Sequence, residues 1–326
     1  MKIISILVPR EAVLASIVDP RYMFTAVNDF LIAAGQEPMF NVQLTGLEET
    51  VELNKGAFAV HTDILLNEAN KSDLILIPAL SGNIREGIES NREFLPWIRN
   101  QYEQGAEVAS LCIGAFLLAA TGLLDGKKCS THWIYANEFR EMFPNVTLVD
   151  DRIITEEDGL FSSGGASSYW NLLLYLIERY SGREMAIRAS KFFAIEIDRK
   201  SQSPFIMFNG QKKHEDTPIR DAQEFIEKNV TEKISVEELA SRFAIGRRHF
   251  ERRFKKATNN TPVEYIQRVK IEAAKKELEN SRKNVSEVMY EVGYSDMKAF
   301  RNVFKKITGL SPIDYKNKYH KSAALV

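Results

Sequence analysis

Hydrophobic and polar positions along this chain keep two different periods, and the change falls near residue 200. Before it, short β-rich runs at 3–8 (IISILV), 40–45 (FNVQLT), 73–78 (DLILIP) and 107–111 (EVASL) predict strands, with a weaker set between 147 and 163. Segments of helical spacing lie among them, at 21–34, 91–103, 114–121, 131–142, 166–180 and 182–196. Such alternation predicts an α/β fold, a parallel sheet flanked by helices. Residues 108–124 lack charge but fall short of a membrane span and include Ser110, Cys112, Gly114, Thr121 and Gly122. They predict a buried strand running into a buried helix.

From about 200 to 218 the periodicity fades and Ser, Pro, Gly and mixed charge gather, as in a linker. Beyond it every strong pattern is helical: 219–229, 235–242, 247–257, 262–280, 285–291, 296–307 and a last piece from 312. The predicted organisation is an α/β domain over 1–198, a linker over 199–218 and an all-α domain over 219–320.

The all-α part contains one pattern written twice. Phe250, Phe254, Lys255, Lys256, Thr258, Pro262 and Tyr265 return fifty positions later as Phe300, Phe304, Lys305, Lys306, Thr308, Pro312 and Tyr315. A period of this size marks a duplicated supersecondary unit, and two such units are expected to share a small local core. Each copy reads as a helix-turn-helix, at about 235–257 and 285–307. In the second copy Ser286 starts a helix, Gly293 breaks it, Ser295 is placed to cap the next, and Gly309 ends it. Phe300, Val303, Phe304 and Ile307 follow the spacing of one buried stripe, leaving Met297, Lys298, Arg301, Asn302 and Lys305 outward. In the first copy Phe250, Phe254 and Ala257 turn inward and Arg247, Arg248, Glu251, Arg252 and Lys255 outward, with Gly246 at the cap and Asn259 where the second copy has Gly309.

One basic amphipathic helix is as often a solvated face as a reader of DNA. Two on one body can enter successive major grooves about 34 Å apart, with the unbroken run 262–280 fixing their spacing. On LASRFAIGRRHFERRFKK, VKIEAAKKELENS and VSEVMYEVGYSDMKAFRNVFKKITGLSPIDYK, residues 219–319 resemble the DNA-binding domain of AraC/XylS-family transcription regulators. The resemblance implies double-stranded promoter DNA as partner, a homodimer, and RNA polymerase as a partner open to such a protein. It assigns base reading to Arg248, Glu251 and Arg252 and to Met297, Lys298, Arg301 and Asn302. Arg and Lys suit guanine edges, Glu a cytosine amine and Met a thymine methyl. Lys255, Lys256, Lys305 and Lys306 then fall to phosphates.

Charge sharpens the division. Residues 214–326 hold 23 Lys and Arg against 17 Asp and Glu, so the formal net charge of −1 hides a basic end joined to an acidic remainder. Cys112 and Cys129 are too few for a disulfide framework, and MKIISILVPR reads as a first strand rather than a signal peptide, which together predict a reduced, cytoplasmic setting without a membrane segment. No metal or cofactor motif is recognised.

The second chemical feature is EVASLCIGAFLLAATGLLDGKKCSTHW. A buried strand ends at Cys112 and a small-residue helix opens at Gly114, the arrangement of a nucleophile elbow. Amides around Ile113 and Gly114 would lower the thiol pKa and favour an anionic group, hence a carboxylate-bearing effector. On LCIGAFLLA, THW at 131–133, PALSGN and FSSGGASSYWNLLLYLIE, residues 1–195 resemble the PfpI-like, class I glutamine amidotransferase-like superfamily, in the subgroup fused to AraC-type domains. The implied fold is flavodoxin-like. Hydrolytic members place His directly after the cysteine, where this chain has Ile113, and neither His132 nor Glu11 supplies the missing partner by motif. No catalytic residue is therefore assigned, and Cys112 reads as vestigial. Ser81, Gly82, Asn83, Cys112, Ile113, Gly114, His132, Ser163, Gly164 and Gly165, at strand ends and helix starts, are the expected ligand-binding residues. The leading expectation is a DNA-binding regulator controlled by a small metabolite. A DNA-tethered cysteine hydrolase or hydratase of small amides or nitriles, and a Cys112 redox sensor, are the alternatives.

Overall fold

The computed structural model describes residues 1–197 and 199–320. The chain forms two compact units, Met1–Gln202 and Ser203–Val326. The first unit opens with β1 (Lys2–Val8), α1 (Ala15–Ala33) and β2 (Phe40–Gly46), then a hairpin of β3 (Thr50–Leu53) and β4 (Phe58–His61). Next come β5 (Ile64–Leu65), β6 (Leu74–Ile77), α2 (Ile84–Ser90), α3 (Phe94–Glu103), β7 (Glu107–Ser110) and α4 (Ala115–Ala120). It closes with β8 (Lys128–Cys129), α5 (Ala136–Met142), β9 (Thr147–Leu148), β10 (Ile154–Glu157), β11 (Leu160–Ser163) and α6 (Tyr169–Phe192).

The main sheet has the order β10-β11-β7-β6-β1-β2-β5, parallel except where β10 meets β11. Its centre is covered on both faces, which is why β6 reads as the unbroken apolar run LILI with every residue buried. Helices α1 and α6 bring Phe24, Val27, Leu172 and Leu176 to one core, and α3 and α4 bring Phe94, Ile98, Phe116 and Leu117 to another. Successive strands go one way from β1 to β2 and β5, then return to β6 on the other side of β1. That reversal between β1 and β6 is the switch point at which open α/β sheets take ligands.

Several elements differ from the periodicity reading. Helix α1 starts at Ala15 rather than 21, with Pro20 inside it, while the expected helix 91–103 begins only at Phe94. A separate α2 precedes it, capped by Asn83, whose side chain accepts from the amides of Arg85 and Glu86. The hairpin β3–β4 and the two-residue β5 were not expected at all. By contrast, the division of the last helical stretch into two is real: Gly182, at φ +84°, breaks α6.

The second unit is all-α: α7 (Thr217–Lys228), α8 (Val236–Arg242), α9 (Arg247–Thr258), α10 (Pro262–Asn280), α11 (Val285–Glu291), α12 (Met297–Thr308) and α13 (Pro312–Tyr319). It holds two cores, not the single shared one that the repeat suggested. Tyr265 and Ile266 of α10 join Phe250 and Phe254 in the first, and Ile271, Ala274 and Leu278 of the same helix join Phe300 and Phe304 in the second. A nineteen-residue helix, about 28 Å at 1.5 Å per residue, is long enough to serve both.

The stretch between the domains is docked at each end. Ser201 forms an antiparallel bridge to Arg152 and the Gln202 amide donates to the Asp151 carbonyl at 2.9 Å. Further on, Lys275 donates to the Ile206 carbonyl at 2.7 Å, and the Phe208 amide to Glu272 at 3.1 Å.

Candidate nucleic-acid interface and candidate effector site

The repeated residues do the same work in each copy. Thr258 Oγ1 donates to the Phe254 carbonyl at 2.8 Å and receives the Asn260 amide at 3.2 Å; Thr308 repeats this with Phe304 and Leu310 at 2.8 and 3.2 Å. Rings stack likewise: Phe254 meets Tyr265 edge-on at 5.3 Å and 80°, and Phe304 meets Tyr315 at 5.4 Å and 78°. Both recognition helices end in a left-handed residue, Asn259 at φ 55° and Gly309 at φ 74°. Asn and Gly tolerate that conformation best.

With the aromatic stripe buried, α9 exposes Arg247, Arg248, Arg252 and Lys255, and α12 exposes Lys298, Arg301, Asn302 and Lys305. Two expectations are corrected. Met297 is half-buried and packs on the second core instead of standing outward, because it opens α12 on the side of Phe300. The cap of α12 is Asp296, whose Oδ1 accepts the Ala299 amide at 2.5 Å, and not Ser295. Glu251 is engaged by Arg247 at 3.1 Å, and Arg247 also pairs with Glu237, so both side chains are tied to partners within the unit. Lys255 donates to the Asn259 carbonyl at 2.7 Å, at the end of its own helix.

Sequence reasoning missed Arg253, which grips Asp216 through two bonds of 2.9 and 2.6 Å and so fastens α9 to the start of α7. The Arg253 guanidinium holds the Asp216 carboxyl below its usual range. The motif Asp-Thr-Pro before a helix was the available signal, since it is a cap followed by proline in the first turn.

In the first unit the expected ligand residues gather at the carboxyl ends of the parallel strands. Cys112 holds φ +55° at the turn from β7. Its amide donates to Ser163 Oγ at 3.2 Å, and its carbonyl accepts from Thr131 Oγ1 at 3.0 Å. A Cβ on Gly114 would lie 2.5 Å from the carbonyl oxygens of Ile77 and Pro78, so only glycine lets the elbow seat against the end of β6. Across the switch point, Ser81 Oγ donates to the Glu11 carbonyl at 2.9 Å. Gly82 holds φ +72° and Asn83 is committed as the cap of α2.

The thiol differs from expectation. Burial pushes Cys112 up to about 12, and the Ile113 amide only partly opposes it. The Gly114 amide already donates to Leu111 at 2.9 Å, so the helix start does not supply the anion nest that would have lowered it. Cys129 is likewise pushed up to about 12 by burial. His132 caps the turn 133–135, its Nδ1 accepting the Ile134 amide at 3.2 Å, and burial lowers its pKa.

Two further residues complete this end. Tyr169 donates to Asp19 Oδ2 at 2.6 Å; burial, then Asp19, raises the phenol, and it lies close enough to Cys112 for a thiolate there to raise it more. Gln202, 1% exposed, donates from Nε2 to the carbonyls of Thr131 at 3.0 Å and Arg152 at 3.2 Å. A Cβ on Gly164 would fall 2.2 Å from that same nitrogen. Nothing local in the sequence marks Gln202, because its partners are long-range.

The fold defines a protein class: a parallel α/β domain followed by a double helix-turn-helix. The sequence profile of the DJ-1/PfpI family matches residues 23–179, and that of a helix-turn-helix domain matches residues 239–318. The chain joins a DJ-1/PfpI domain to an AraC-type DNA-binding domain. It is 28% identical to the HTH-type transcriptional regulator GbdR of Pseudomonas aeruginosa over 227 residues, 68% of this chain and 61% of that protein. The match thus spans less than two thirds of that relative's length. A shorter match, 31% over 116 residues, covers 35% of this chain and 48% of the isonitrile hydratase of Pseudomonas putida. A solved structure from Vibrio parahaemolyticus, described as a transcriptional regulator, superposes with a TM-score of 0.53 at 20% identity over 59% of this chain and 98% of its own, which shows the fold.

Proposed function

We propose that this chain is a sequence-specific DNA-binding transcription regulator whose first unit binds a small effector. The observation that carries the reading is the pair of basic faces on α9 and α12, presented by matching aromatic cores on one connecting helix. Arg248, Arg252, Lys298, Arg301 and Asn302 read bases, with Arg247, Glu251 and Met297 in secondary contacts once their own partners release them. Lys255 and Lys305 hold phosphate. On a duplex enriched by the chain from a random pool, Arg252→Ala weakens binding by about 1–3 kcal/mol and relaxes base choice in one half. Lys305→Ala weakens specific and scrambled duplexes alike. Equal losses on both duplexes for Arg252→Ala would remove it from base reading.

The effector site is the cluster of Ser81, Gly82, Asn83, Cys112, Ile113, Gly114, His132, Ser163, Gly164 and Gly165, extended by Gln202. A protonated Cys112, an isoleucine in the following position and a histidine committed to a cap favour binding over turnover, so the chain is not an enzyme. The setting is cytoplasmic; among the described residues no helix is long and apolar enough to cross a membrane. A second copy is the further partner, and Tyr22 and Phe192, 53% and 54% exposed on α1 and α6, supply apolar surface for it. Sedimentation at micromolar concentration checks the pairing, which a monomer would exclude. Thermal melting against amino acids, amines and small carboxylates checks the effector: a ligand at a hundred times its Kd adds about 2.7 kcal/mol, and a panel without any shift counts against sensing.

A further inference from the structure

Lys270, in the middle of α10, is 6% exposed and its ammonium is met by carbonyl oxygens. It donates to Val230 at 2.8 Å, to Glu232 at 2.9 Å and to Val292 at 2.8 Å. An ammonium has three donors, so this set is complete. Val230 and Glu232 lie in the loop just after α7, in the first half of the unit, whereas Val292 is the C-cap of α11, in the second helix-turn-helix. The C-terminal ends of helices carry partial negative charge, which offsets the cost of holding a cation there.

The same joint is closed from the other side by Gly293, at φ +72°. A Cβ there would stand 2.3 Å from the Thr231 carbonyl oxygen and 2.5 Å from Lys270 Nζ. The turn of the second helix-turn-helix is therefore pressed against the 230–232 loop of the first half, with the lysine between them. Tyr294 adds its ring 5.8 Å from the ammonium. Each half has its own core, so hydrophobic packing alone would hold each half together without fixing one against the other, apart from α10.

We propose that Lys270 is the positioning residue that fixes the two recognition helices relative to each other, so that the chain reads a bipartite site of one spacing and not two independent half-sites. This rests on the DNA-binding reading above. Its groups touch no base; the lysine acts through the loops it joins.

The test uses the full chain and a duplex it enriches from a random pool, remade with one base pair inserted or removed between the contacted halves, and with either half scrambled. Wild type loses about tenfold or more on either spacing change. Lys270→Met loses much of that discrimination while binding each half-scrambled duplex within about twofold of wild type. A folded Lys270→Met chain with the wild-type spacing preference overturns the proposal.

Should that variant not fold, spin labels at Glu251→Cys and Asn302→Cys in an otherwise unchanged chain decide it. The native thiols, both buried, stay unlabelled. One narrow distance population supports the joint, and a broad or double one overturns it. If no duplex is enriched, the DNA reading fails by itself, and the spin-label distance still decides the joint.

Discussion

Thr258 and Thr308 each close the last turn of a recognition helix with the hydroxyl alone, donating back to a phenylalanine carbonyl and accepting the amide two residues on. That explains why the repeat preserves threonine at a buried position where valine would pack as well. Thr308→Val keeps the shape but leaves the half-buried Leu310 amide unpaired, a loss at the lower end of the about 1–3 kcal/mol that a buried unpaired donor costs. Urea denaturation should show a loss of that order; an unchanged midpoint would mean water replaces the hydroxyl. Cys112 teaches the opposite lesson. Its place on a tight turn was legible from LCIGAFLLA, but whether a helix start lowers a thiol depends on whether the amides are free and the sulfur is wet. Here Gly114 N is spent on Leu111 and burial dominates. Sequence alone shows neither.

At the scale of elements, the helices of the second unit were readable because their punctuation is local. Thr261 and Glu264 form a capping box at the start of α10, and Asn284 and Glu287 another at α11, both within four residues of chain. The error at Ser295 was one position: both Ser295 and Asp296 are cap residues, and only the backbone decides which carbonyl begins the helix. In the first unit the long apolar strands were equally plain, whereas β3 and β4 are four residues each, with a single pairing partner and exposed Phe58. Strand β3 does alternate, with Val51 and Leu53 buried between exposed Thr50 and Glu52, but runs of four residues are too short for that alternation to stand out. Pro20 hid the first turn of α1, since proline inside a helix removes a backbone donor and usually marks a boundary. Its neighbours Ser16 and Ile17 are fully buried, and tertiary packing outweighs that local penalty.

For the whole molecule, charge asymmetry and the repeat survive as patterns along the chain, and the face proposed for nucleic acid was legible from them. The end proposed for the effector was only half legible. Its loops follow from strand ends, but Tyr169 with Asp19, and Gln202 with Thr131, are contacts between residues far apart in sequence. Gln202 is the last residue of the first unit and is bonded to Thr131, which is itself bonded to the Cys112 carbonyl. The central proposal is that the second unit reads DNA with both faces. Hydroxyl-radical footprinting of the full chain on a duplex it enriches from a random pool tests that most directly. The account predicts two protected blocks on one side of the duplex, centred about one helical turn apart; a single block, or protection without any preferred sequence, would contradict it.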